Sequence, residues 1–309
     1  MSTDHNPPAS GARVPWQEVH PLVREAVEGF LGGRVVEAVT QEGGFSPAAA
    51  VRLRTDDGRR AFVKAVGPEP NPDSVRIYRS ELRNAAALPE SVPAPKLLTA
   101  FELEGWVALV FEDVEAAHPE MPWRRDELDR VFTALKEMSA ALTPSPIEAR
   151  TIGEVLGDSF QGWRRLLGED TAGLDPWALR HLPALAELES GWETAAAGDT
   201  LVHADLRADN ILLTPDRVYV VDWPWACLAA PWYDQVAMLP SVGMQGGPAP
   251  HELFDDPDPA VTAVVAAQTG YFVRNGRLPD PPGLPTLRAF QRAQGVVALE
   301  WLKRRTGWV

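Results

Sequence analysis

The chain has 309 residues, 45% of them hydrophobic, and 29 basic against 43 acidic side chains give a formal net charge of −14. That length suggests about two domains with a sizeable buried core, and the acidic balance argues against nucleic acid as a partner. No apolar stretch approaches the roughly 18 residues of a spanning helix, so no membrane partner is expected; the single Cys227 allows no intramolecular disulfide and fits a reducing cytoplasm.

Residues 1–15 are polar and Pro-containing, lack the basic start and apolar run of a signal peptide, and read as a flexible tail. Three strands follow over residues 34–40, 49–55 and 61–66, separated by Gly43-Gly44 and by Asp56-Asp57-Gly58. Lys64, one of only four lysines, interrupts the apolar run of the third strand. A cation there is costly unless paired, so a carboxylate partner is expected. Two more strands cover residues 96–102 and 106–111. Beyond them the chain reads as helical, with apolar residues at three- and four-residue intervals over 125–142, 175–197, 259–273 and 285–304, and a Pro-rich connector over 278–285.

The densest chemical signal is residues 201–222, LVHADLRADNILLTPDRVYVVD. Leu201-Val202 and Ile211–Leu213 read as strands bracketing one short loop, and residues 218–221 as a second apolar strand that returns Asp222 toward it. His203, Asp205 and Asn210 stand on the loop. Kinase-type phosphoryl transfer needs a carboxylate that orients the attacking hydroxyl and receives its proton, and oxygen ligands that hold Mg²⁺ across the nucleotide phosphates. Asp205 fits the first role; Asn210 and Asp222 fit the second.

His203, Asp205 and Asn210, followed by Asp222-Trp223, resemble the pattern of the aminoglycoside phosphotransferase family and, more broadly, of the protein-kinase-like fold. One departure is Ala204, where that family usually has Gly. The resemblance implies an α+β, bilobal protein-kinase-like fold: an N-lobe over 16–113 with a five-stranded antiparallel sheet plus one helix, and a mostly helical C-lobe over 114–309. It implies Asp205 as catalytic base, Asn210 and Asp222 as magnesium ligands, and Lys64 on the α and β phosphates of ATP or GTP, paired with a Glu on the next helix. Glu81 is best placed, because Val75, Tyr78 and Leu82 form an apolar stripe and Glu81 lies beside Tyr78 on the wheel. Gly43-Gly44-Phe45-Ser46 would cover the phosphates, Gly44 through its backbone and Ser46 through its hydroxyl. The Phe111-Glu112-Asp113-Val114 segment would cross between lobes, with Phe111, Glu112 and Val114 meeting the purine through main-chain groups. Arg207 stands where many kinases carry a basic residue facing the transferred phosphate. His203 and Asp234 have supporting roles, Asp234 resembling an acid that buttresses the catalytic loop; a solvated helix N-cap is the alternative for it.

Asp234 follows Asp222 by only 12 positions, too short for the activation segment and peptide platform of a protein kinase, so the acceptor is expected to be a small molecule. Up to Asp113 there are 12 basic and 16 acidic residues, and beyond it 17 and 27. That excess, with candidate patches at Asp126, Glu127 and Asp129 and at Glu252, Asp255, Asp256 and Asp258, favours a cationic acceptor such as an aminoglycoside-like antibiotic. The same motif also serves a metabolic kinase for choline, an amino alcohol, a sugar or a macrolide, or a catalytically silent nucleotide-binding pseudokinase.

Overall fold

The computed structural model describes residues 13–41, 43–44, 48–69 and 72–309. Strands β1 (Val35–Thr40), β2 (Ala49–Thr55), β3 (Arg60–Val66), β4 (Leu97–Leu103) and β5 (Trp106–Phe111) form one antiparallel sheet in the order β1-β2-β3-β5-β4. Alternation along the strands decides what each face meets. On β5, Ala108 and Val110 pack with Val23, Val27 and Leu31 of helix α1 (Pro21–Leu31), whereas Val107, Leu109 and Phe111 pack with Val75 and Tyr78 of helix α2 (Pro72–Ala87). Helix α1 is thus a second helix on the sheet, beyond the one expected; its stripe of Val23, Val27 and Leu31 at four-residue spacing is the signal for it. Lys64, between the α1-facing Val63 and Ala65, emerges on the α2 face.

The rest of the chain is mostly helical: α3 (Arg125–Ala141), α4 (Ile152–Leu156), α5 (Gly162–Leu166), α6 (Pro176–Arg180), α7 (Leu182–Ser190), α8 (Trp192–Ala195), α9 (Tyr233–Met244), α10 (Pro250–Leu253), α11 (Pro259–Asn275) and α12 (Leu287–Thr306). The single helix expected over 175–197 is three. Pro183, in the first turn of α7, has no N–H to continue a helix from α6, and Gly191 breaks α7 from α8. Helix α9 has no one-sided stripe because it is buried all round: Val236 and Leu239 join one apolar cluster, Met238 and Val242 the other. Among these helices lie two small antiparallel pairs, β6 (Thr200–Val202) with β9 (Cys227–Ala229) and β7 (Ile211–Leu213) with β8 (Val218–Val220).

Helix α11 is fixed by a close crossing with α5. Gly162 and Gly270 meet backbone to backbone; a Cβ on Gly162 would lie 2.0 Å from the Gly270 carbonyl oxygen. The fully buried Glu189 carboxylate accepts the N–H groups of Trp163 and Arg164, each at 3.0 Å, where the first turn of α5 leaves them unpaired. Gly162→Ala should therefore destabilise the fold by more than about 2 kcal/mol in chemical denaturation, since neither backbone can yield. In contrast, Gly29→Ala, in an exposed stretch of α1 with nothing within 4 Å of the new Cβ, should stabilise it by about 0.5–1 kcal/mol.

Candidate active site

The loop after β6 and the loop after β8 leave their strands side by side, and His203 binds them together. Its ring is fully buried; Nε2 donates to the Val221 carbonyl at 2.9 Å and Nδ1 accepts the Asp205 N–H at 3.2 Å. Those roles define the neutral ring protonated at Nε2, and burial lowers its pKa from the ordinary value. Trp223 closes on it edge-on, with ring centroids 4.9 Å apart. From the first turn of α9, Asp234 accepts the backbone N–H groups of His203 at 2.7 Å and Ala204 at 2.9 Å. Asp234 is buried and caps a loop; it is no solvated N-cap. Ala204 sits at φ 67° and Asp222 at φ 71°, the left-handed region where a side chain costs about 1 kcal/mol or more.

Lys64 meets its expected partner. Nζ lies 2.5 Å from Glu81 Oε2 and 2.7 Å from Asp222 Oδ1, with the Tyr78 ring 5.1 Å away. Burial alone would lower the Lys64 pKa, but Asp222 and Glu81 outweigh it and hold the ammonium charged. Burial pushes Glu81 up to about 7 against the pull of Lys64. Asp222 is also penalised by burial, yet Lys64 keeps it below the usual carboxylate range.

Asp205 receives the Arg207 guanidinium, which also grips Asp209 through two bonds of 3.0 Å. Burial raises Asp205 to about 6, opposed by Arg207 and assisted by Asp209. Asp209, unremarked in the sequence reading, holds Arg207 beside Asp205. Asn210 donates Nδ2 to the Asp205 carbonyl at 2.7 Å, which leaves its Oδ1 as a ligand atom.

Two cavities meet at Asp222. The first, about 280 Å³, is bounded by Lys64, Glu81, Asn210 and the segment from Phe111 to Val114. Gly44, at φ 71°, reaches its wall, and so does Arg13, which donates to the Gly43 carbonyl; Ser46 lies outside the described residues. Arg13–Pro15 is therefore laid against the glycine loop, with the Val14 N–H on the Ala48 carbonyl at 3.3 Å. In the crossing segment the Glu112 N–H is spent on the Lys96 carbonyl at 2.9 Å, whereas the Glu112 carbonyl and the Val114 N–H have no partner among the described residues. Asp113 accepts Arg52 at 2.6 Å and Arg60 at 2.7 Å, tying this segment back to the sheet.

The second cavity, about 400 Å³, contains Asp205 and Arg207 and is walled by aromatic, aliphatic and amide side chains of α2, α9, α11 and α12. Trp225 lines it, whereas Trp223 is core. The two acidic clusters line neither cavity. Asp126 pairs with Arg124 and Asp129 with Arg125; Asp258 caps α11, and Glu252 accepts the Ala249 N–H. The sequence reading missed Gln268, Gln291 and Gln294. Amides on the buried faces of two helices were the available signal, because such positions are costly without partners.

The donor set fits a hard divalent cation. One carboxylate and one amide oxygen, Asp222 and Asn210, are what Mg²⁺ takes from a protein when phosphates and water complete its octahedron. Among the described residues no group of three or more His, Cys, Asp or Glu side chains could hold a metal alone.

The sequence model described as APH, the phosphotransferase enzyme family, matches residues 39–259. Among solved structures, a choline/ethanolamine kinase family protein from Mesorhizobium loti is 16% identical with a TM-score of 0.53, over 88% of each chain. The amicoumacin kinase hAmiN in complex with AMP-PNP, Ca²⁺ and Ami is 10% identical with a TM-score of 0.52, over 85% of this chain and 88% of the other. These show the protein-kinase-like fold. No curated protein sequence matches. With the family pattern spanning most of the chain and the fold agreeing, the protein belongs to the phosphotransferase enzyme family.

Proposed function

We propose that this chain moves the γ-phosphoryl group of ATP or GTP to a hydroxyl of a small molecule, the nucleotide lying in the first cavity and the acceptor in the second. The observation that carries this reading is their junction: Lys64 stands on one side of Asp222 and Asp205 on the other. Residues 16–113 form the nucleotide lobe in this reading and 114–309 the catalytic and acceptor lobe. A cytoplasmic setting accords with Cys227 as a buried free thiol.

Lys64 holds the α and β phosphates and Glu81 orients it; Gly44 brings backbone N–H groups close to the anion. The Glu112 carbonyl and Val114 N–H face the purine edge. Asn210 and Asp222 would hold Mg²⁺, which supplies charge neutralisation across the β and γ phosphates. Asp205 accepts the proton of the acceptor hydroxyl as that oxygen forms its bond to γ-phosphorus and the bond to the β,γ-bridging oxygen breaks. Arg207 keeps Asp205 in place and puts a cation beside the transferred group. His203 and Asp234 fix the loop geometry. An aminoglycoside-like polycation is one acceptor the family resemblance offers, and choline, amino alcohols, sugars and macrolides are others.

Asp205→Asn should lower Mg²⁺-dependent phosphoryl transfer by about 10²–10⁴ while leaving nucleotide affinity intact in calorimetry. Near-normal turnover would remove Asp205 as base, and absence of transfer in the unaltered protein would restore the pseudokinase alternative. Lys64→Met should weaken ATP roughly 10- to 100-fold, the loss of a charged hydrogen bond of about 1.5–3 kcal/mol. Since Asp205 must be ionised to take a proton and its pKa is raised to about 6, kcat/KM should be full well above that pH and fall as pH drops through it, a limb absent from whatever activity Asp205→Asn retains.

A further inference from the structure

The lining of the second cavity has a charge balance that decides what it can accept. Among the described residues its only carboxylates are Asp205 and Asp222, and both are paired, Asp205 with Arg207 and Asp222 with Lys64. Arg207 itself adds a cation to the wall. A polyamine entering here would surrender its hydration and meet one guanidinium, two engaged carboxylates and otherwise neutral surface, apolar, aromatic, hydroxyl or amide.

The remaining polarity comes from three amides and from the hydroxyls of Ser74, Ser159 and the lining tyrosines. On α12, Leu287, Phe290, Gln291 and Gln294 recur at i, i+3, i+4 and i+7, so one helical face lines the cavity. Of the three glutamines Gln291 is fully committed to the protein: it donates to the Tyr271 hydroxyl at 3.0 Å and accepts from Arg288 at 2.8 Å. Gln268 is committed through Nε2, which donates to the Ala237 carbonyl at 2.7 Å, while its Oε1 is buried without a partner among the described residues. Gln294 is only 5% exposed, lines the cavity and has no hydrogen-bond partner among the described residues. The Gln294 amide atoms are not sealed in the core; they open to the cavity, with a donor and an acceptor both available to a molecule bound there.

We infer that the acceptor is a neutral or singly charged alcohol with an apolar ring body, and that the Gln294 amide is the specificity-determining contact that hydrogen-bonds it. This rests on the phosphotransferase reading and narrows it. The ring packs against the aromatic wall, its hydroxyl reaches Asp205, and a second polar group of the same molecule reaches Gln294. A cation, where present, is single, because no unpaired carboxylate on the wall is left to hold more.

The test is a thermal-shift and calorimetric comparison on the full chain with AMP-PNP and Mg²⁺ present. One set of probes is neutral or singly charged ring-bearing alcohols, including chloramphenicol and erythromycin; the other is the polyamines kanamycin and neomycin. The expected result is that members of the first set raise the melting temperature and the polyamines do not, and that Gln294→Leu weakens the bound alcohols about three- to tenfold, the effect of one neutral hydrogen bond, while AMP-PNP affinity is unchanged. Gln294→Glu should improve binding of singly cationic members relative to neutral ones. Tighter binding of kanamycin or neomycin than of the ring alcohols, binding of neither set while AMP-PNP binds, or indifference of the bound alcohols to Gln294→Leu would each overturn the inference. Failure of AMP-PNP itself to bind would instead sink the phosphotransferase reading on which it stands.

Discussion

The contact on which the site depends is the bond of Lys64 to both Glu81 and Asp222. A buried ammonium is tolerable only because two carboxylates outweigh its desolvation, and those carboxylates come from α2 and from the loop after β8. The pair of bonds therefore fastens the sheet to α2 and to the loop after β8 across the first cavity. Removing Lys64 would leave two neighbouring carboxylates without their shared cation, so this interaction secures geometry more than it contributes net stability.

On the other side of Asp222, structure is maintained by two buried groups, His203 and Asp234, that line neither cavity. Asp234 gathers two backbone N–H groups, and the neutral His203 ring bridges from the Asp205 N–H to the Val221 carbonyl. These bonds hold Ala204 and Asp222 at positive φ. Ala204 shows why Gly is the common residue there: the backbone is left-handed, and the methyl group is accommodated at a cost the Asp234 bond helps offset.

The ordered strands and the loop chemistry were legible because each has a short-range signature. Strand-forming runs set off by turn residues gave β2 and β5 their observed bounds, and Lys64 was conspicuous as a cation in an apolar run. Glu81 could be inferred because α2 has a one-sided apolar stripe that sets its neighbours on the wheel. Helix α9 was obscured because burial on all sides erases periodicity and Pro240 lies within it. Net charge did not show where the carboxylates fall: in the two acidic clusters Asp126 and Asp129 are held in surface pairs and Asp258 caps α11, and neither cluster lines a cavity. The amides of α11 and α12 needed the packing of the two helices before their common cavity became visible.

In the proposed reaction one γ-phosphoryl group lies between Lys64 and Asp205 at the meeting point of the two cavities. A crystal structure of the full chain with AMP-PNP and Mg²⁺ measures this most directly. The expected result is the α and β phosphates at Lys64, the metal on Asn210 and Asp222, and the γ-phosphorus facing the second cavity with room for one acceptor oxygen between it and the Asp205 carboxylate. A triphosphate lying outside the first cavity, or a γ-phosphate turned away from Asp205 with Lys64 still bonded only to Glu81 and Asp222, would contradict it.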